Sequence, residues 1–105
     1  MNNNPIGIFD SGLGGLTVVK AIRKVMPNES IIYFGDTARV PYGNKSPELI
    51  KLYSLQIAEF LLKHKSKIIV VACNTATALA LDALQGELKI PVIGVVKPGV
   101  DAALR

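Results

Sequence analysis

Short runs rich in β-branched residues alternate along this chain with longer stretches whose apolar positions recur at helical spacing. Ile6 to Phe9 reads as a first strand. Leu16 to Met26 reads as a helix with Leu16, Val19, Ile22 and Val25 on its apolar face, stopped by Pro27 and Asn28. Ser30 to Phe34 predicts a second strand. The stretch after it, through Gly35, Pro41, Gly43 and Asn44, is rich in turn formers and holds Asp36, Thr37 and Tyr42, so it predicts a loop of the length that often carries function. Ser46 is placed to cap a second helix, with Pro47 at its first position and Glu48 in its first turn, running to about Lys65. Leu49, Leu52, Tyr53, Gln56, Ile57, Phe60 and Leu61 trace the expected face of that helix. Lys67 to Ala72 predicts a third strand, apolar on both sides as at the centre of a parallel sheet covered by helices. A third helix is expected from about Thr75 to Gln85, with Gly86 placed to end it. A fourth strand is expected from Val92 to Val95, and the start of another helix from Pro98.

This order of strands and helices predicts an α/β fold, an open doubly wound parallel sheet of about four strands with flanking helices. The 105 residues are the size of one domain, and residues 1–105 are read as a single α/β domain. Val100, Ala103 and Leu104 form an apolar stripe near the end with little to pack against, which leads us to expect a fragment of a longer chain. The surface so exposed leads us to expect a homo-oligomer.

Composition narrows the class. Half of the residues are hydrophobic and 19% are charged, a balance that favours a folded domain over intrinsic disorder. No apolar run approaches the roughly 18 to 20 residues that span a bilayer, and Met1 to Asn4 lack the basic start of a secretory signal. We therefore expect a cytoplasmic protein without a membrane partner. A net charge of +4 raises the question of nucleic acid. The densest basic stretch, Lys63, His64, Lys65 and Lys67, falls where a helix ends, and cations there interact favourably with the helix dipole, so no nucleic-acid partner is expected. His64 has no Cys, Asp or second His nearby, and no metal site is expected. The single cysteine, Cys73, cannot form an intrachain disulfide and is either a packed core residue or a reactive thiol.

In open α/β sheets ligands bind beyond the carboxyl ends of the strands. That edge collects Asp10-Ser11-Gly12, Gly35-Asp36-Thr37, Cys73-Asn74-Thr75 and Gly94 to Lys97. The run Asp10-Ser11-Gly12-Leu13-Gly14-Gly15 matches neither the dinucleotide fingerprint nor the P-loop. Its glycines can aim backbone N–H groups at a carboxylate, or simply permit a tight turn. Asp10 can orient or polarise chemistry, or cap the following helix. Cys73 stands between a buried strand and the first turn of a helix, where N–H donors favour a thiolate able to accept a proton, and Asn74, Thr75 and Thr77 add donors and hydroxyls beside it. Thr37, Tyr42 and Asn44 can bind substrate or merely stabilise their loop.

Taken together, Phe9-Asp10-Ser11-Gly12-Leu13-Gly14-Gly15-Leu16, Asp36-Thr37-Ala38-Arg39-Val40-Pro41-Tyr42-Gly43 and Ala72-Cys73-Asn74-Thr75-Ala76 resemble three motifs of the glutamate racemases, within the aspartate/glutamate racemase superfamily. The resemblance runs from Ile6 onward and covers about the first half of a typical member, one half of a two-domain racemase. It implies an isomerase, independent of cofactors and without pyridoxal phosphate or metal, that interconverts L- and D-glutamate with two cysteine bases and supplies D-glutamate for peptidoglycan. By the same resemblance Cys73 is one of the two bases, the one associated with D-glutamate, and Asp10 assists proton handling. Ser11, Pro41, Tyr42, Gly43, Asn74 and Thr75 would bind the carboxylate and ammonium groups of the substrate. The second cysteine of the pattern is absent from these residues, so the chain alone is expected to be inactive. Lys97 also departs from it, standing where many relatives carry glutamate. Two other readings remain at this point, an aspartate racemase and a flavodoxin-like binding module with an unreactive thiol; a nucleotide-binding half-domain lacks both phosphate motifs.

Overall fold

Two of the four strands are buried on both sides, and those two take the centre of the sheet. The structure, a computed structural model, describes residues 3–12, 15–39 and 41–94. Over these residues the chain runs β1 (Ile6–Asp10), α1 (Gly15–Val25), β2 (Ile31–Gly35), α2 (Pro47–Lys63), β3 (Ile68–Val71), α3 (Asn74–Glu87) and β4 (Val92–Gly94), with single 3-10 turns at Thr37–Arg39 and Tyr42–Asn44. All strands are parallel in the order β2-β1-β3-β4. Every residue of β1 is buried, and so are three of the four in β3, whereas β2 on one edge is only half-buried throughout. The chain leaves β1 toward one edge and β3 toward the other, so the ends of these two neighbours flank the point where the winding reverses.

The pleat sorts side chains onto two faces. Ile6, Ile8 and Val70 point to α1 and meet Val18, Val19 and Ile22. Phe9, Ile69 and Val71 point the other way, into a larger core with Ile50, Ile57, Ala58 and Leu61 of α2 and Ala76, Ala80 and Leu84 of α3. Helices thus cover both faces, as expected for a doubly wound sheet. Ala58 of α2 and Ala76 and Ala80 of α3 are fully buried in this core. The α1 face is less complete: Ile22, Val25, Met26, Ile68, Val70 and Ile93 line an open apolar cleft of about 510 Å³ there.

The faces of α1 and α2 differ from those expected. Leu16 and Val25 are exposed, because each three-residue step falls about 60° short of a full turn and the Leu16-Val19-Ile22-Val25 row walks around the helix. Along α2 the buried row is Ile50, Ser54, Ile57, Ala58 and Leu61, while Leu52 and Phe60 are largely exposed. Gln56 lies outside, where its side chain accepts a hydrogen bond from Arg39 at 2.8 Å. Ser46 caps α2 as expected, accepting from the Leu49 N–H at 3.2 Å, with Pro47 at the first helical position.

Helix α2 ends earlier than Lys65, which takes φ 63°. The Lys65 and Ser66 N–H groups bond back to Leu62 and Leu61, closing the helix with a left-handed residue other than glycine. Gly86, by contrast, does not end α3, which continues to Glu87. Lys63, His64 and Lys65 form an exposed helix end, His64 lies 4.4 Å from the Phe60 ring, and Lys67 pairs with Glu29. Val95, Lys97 and the helix expected from Pro98 lie outside the described residues. Among the described residues no helix is long and apolar enough to cross a membrane.

Candidate active site

The ends of β1, β2 and β3 are stitched together by backbone bonds. Asp36 N–H donates to the Asp10 carbonyl at 3.0 Å, and Ala72 N–H to the Phe9 carbonyl at 2.8 Å. Three loops rich in polar side chains are thereby held at one edge, beside the winding reversal where α/β sheets bind ligands.

At the end of β1 the Asp10 side chain is fully buried. Its Oδ1 accepts from the Gly12 N–H and from the Tyr33 hydroxyl, both at 2.8 Å, while Oδ2 has no hydrogen-bond partner among the described residues. The bond to Gly12 is a local turn two residues on, not a cap on the first turn of α1. Two glycines make this arrangement possible. Gly12 sits at φ 98°, a region that side chains rarely enter, and a Cβ on Gly15 would lie 1.9 Å from Asp10 Oδ2. The Gly12 amide, which the sequence offered as a donor for an external anion, is therefore engaged by the chain's own carboxylate. Burial, and then the hydrogen bond and charge of Asp10, push the Tyr33 phenol up to about 12.

At the end of β3, Cys73 is the N-cap of α3 and is 7% exposed. Its Sγ accepts the Ala76 N–H at 3.5 Å, and Thr77 is tied to the same junction through its hydroxyl, which donates to the Val71 carbonyl at 3.2 Å. Tyr42 packs in the same core cluster as Cys73. The Tyr42 hydroxyl donates to Asp36 Oδ2 at 2.5 Å, and Arg39 Nε donates to the same oxygen at 2.8 Å. The Arg39 guanidinium lies 3.9 Å from the centre of the Tyr53 ring. Burial holds the Tyr42 phenol well above its ordinary value, the Asp36 bond and charge add to this, Arg39 opposes it, and Cys73 adds a further upward push.

The expected site residues fall into two groups. Cys73, Tyr42, Asn74 and Thr75 belong to one: Asn74 is exposed and Thr75 half-buried in the first turn of α3, beside the Tyr42–Asn44 turn flanked by exposed Pro41. Gly43 is exposed, with open space where a Cβ would stand. Asp10 and the nearly buried Ser11 belong to the other, and the hydrogen bonds of Asp10 run to Gly12 and Tyr33, not to Cys73. Sequence reasoning did not assign roles to Tyr33, Asp36 or Arg39. A tyrosine within an otherwise apolar strand was the available signal for Tyr33, but its partner depends on strand order. Among the described residues no group of three or more His, Cys, Asp or Glu side chains could hold a metal.

Comparison with known proteins adds to this geometry. The profile of the Asp/Glu/Hydantoin racemase family matches residues 16–105. The chain is 64% identical over 98 residues to the glutamate racemase of Geobacter metallireducens, covering 93% of this chain and 36% of that protein. It is 57% identical to the glutamate racemase of Chlorobaculum tepidum, covering 99% of this chain and 39% of that protein. Among solved structures it superposes on the glutamate racemase from Aquifex pyrophilus with a TM-score of 0.88 at 58% identity, covering 95% of this chain and 40% of that one. The glutamate racemase from Francisella tularensis, solved in complex with D-glutamate, gives a TM-score of 0.88 at 50% identity, covering 98% and 40%. The chain thus spans well under half the length of these relatives.

Proposed function

The chain belongs to the Asp/Glu/Hydantoin racemase family, and on that premise we propose that it is part of a glutamate racemase in which Cys73 is one of two bases. The observation that carries this reading is the position of Cys73: a nearly buried sulfur at the reversal of the sheet, opening α3 and accepting one of its first N–H groups. Relatives named glutamate racemase, and a structure of one with D-glutamate bound, support glutamate over aspartate as substrate.

In this scheme the Cys73 thiolate takes the α-proton of D-glutamate. The C–H bond breaks, an S–H bond forms, and the electron pair left on the α-carbon is delocalised toward the substrate carboxylate. Donors fixed in advance around that carboxylate lower the cost of the charge. Ser11, Asn74 and Thr75, with the turn at Pro41, Tyr42 and Gly43, are proposed to hold the carboxylate and ammonium groups, and Asp10 to assist proton handling. Inversion requires a second acid on the opposite face. Cys73 is the sole cysteine in these 105 residues, so we propose that the chain acts as one α/β unit of a two-domain enzyme and is inactive by itself. The product would feed peptidoglycan synthesis in the cytoplasm.

The test is exchange of the α-proton in deuterated water, with glutamate and aspartate compared on the full-length polypeptide. Exchange into glutamate is expected. Exchange into aspartate alone would overturn the substrate assignment, and exchange into neither would overturn the enzymatic one.

A further inference from the structure

An unpartnered oxygen on a fully buried carboxylate is uncommon and calls for a reason. Asp10 presents one: among the described residues Oδ1 holds two donors, Gly12 N–H and the Tyr33 hydroxyl, while Oδ2 has none. The Gly12 donor is set by the local turn. Tyr33 is different, because it reaches Asp10 from another strand, from a position two residues before the Gly35 that stands opposite Asp10. Its side chain occupies the space left by two glycines, since a Cβ on Gly15 would come within 2.9 Å of the ring and one on Gly35 within 2.9 Å of the hydroxyl. Space, register and hydrogen bond all converge on one contact.

We propose that Tyr33 is a positioning residue for the racemisation, its hydroxyl gripping Asp10 by Oδ1 so that the carboxylate keeps one orientation with Oδ2 unengaged. This rests on the reading of Asp10 as a proton-handling group. Tyr33 itself does not touch substrate. Among the described hydrogen bonds it is the titratable side chain that meets the Asp10 carboxylate; Asp36, the nearest further carboxylate along the edge, spends its side chain on Tyr42 and Arg39.

The experiment is a double-mutant cycle on the full-length polypeptide with Tyr33→Phe and Asp10→Asn. Loss of a hydrogen bond to a charged group predicts that Tyr33→Phe lowers kcat about 10- to 100-fold with KM little changed. In the Asp10→Asn background the same change should cost nothing further, which a merely structural role would not reproduce. A second readout needs no turnover: the ionisation midpoint of Tyr33, followed by the NMR signal of its ring carbon, should fall from about 12 in Asp10→Asn. Equal losses in both backgrounds, or an unchanged kcat in Tyr33→Phe, would overturn the proposal while leaving the racemase reading intact. Absence of racemisation in the unaltered protein overturns that reading instead, and the phenol midpoint then still reports whether the two side chains are coupled.

Discussion

At the end of β1 the Asp10 carboxylate is fully buried, packed against Gly15 and bonded by Gly12 and Tyr33. At the end of β3 the Cys73 sulfur, in a residue that is 7% exposed, has one long hydrogen bond among the described residues, from Ala76. The two groups lie on neighbouring strands of one sheet edge, yet the first is held by its packing and the second mainly by the helix it opens. A buried carboxylate must be compensated by fixed donors, whereas a thiol packs as a small apolar group and needs little support until it is charged. Crowding of the packed β1 end should therefore be felt first as stability, and replacement of the Cys73 sulfur first as chemistry.

The largest effect on stability is expected from Gly15→Ala. The added methyl would overlap Asp10 Oδ2, and the displacement should cost about 2–3 kcal/mol in urea unfolding, comparable to overpacking a core. A loss below half of that would show the β1 end to be softer than its contacts imply. Tyr42→Phe comes next. It removes a donor from the buried Asp36 carboxylate but leaves Arg39 in place, so about 1.5–3 kcal/mol should be lost.

Alkaline pH sharpens the contrast further. The Tyr33 phenol titrates at about 12 in the folded chain against an ordinary value of 10.0. Between those values the unfolded chain binds fewer protons than the folded one, so rising pH favours unfolding. The stability that Tyr33 contributes is fully present below about pH 10 and is lost as pH rises through about 12. Thermal melts across that window should show a steeper fall for the unaltered protein than for Tyr33→Phe, with the remaining slope carried by Tyr42. The smallest change in stability should come from Cys73→Ser, under about 1 kcal/mol, since a near-isosteric swap keeps an acceptor for Ala76 N–H. A loss as large as that of Gly15→Ala would erase the distinction between the two ends.

Much of the frame was legible in the sequence because it depends on local signals. The Ser46-Pro47 start of α2 follows from the chemistry of a helix N-terminus, and the doubly apolar run at Ile68–Val71 marked a strand covered on both sides. What was not legible depends on partners distant along the chain. The Asp10–Tyr33 contact needs the register of β1 against β2, which apolar patterning alone does not fix. The buried face of α2 was misplaced because Leu52 and Phe60 look like core residues until packing against the sheet and α3 turns Ile50, Ser54 and Ala58 inward instead. Gly86 looked like a helix stop yet lies within α3, whereas α2 closes on Lys65 in the left-handed region.

The role of Cys73 as a proton-transferring base is tested most directly by deuterium incorporation at the α-carbon of D-glutamate, comparing the full-length polypeptide with its Cys73→Ser variant. The folded variant should lose exchange by about 10²-fold or more, the scale of a positioned general base. Exchange at the rate of the unaltered protein would contradict that role.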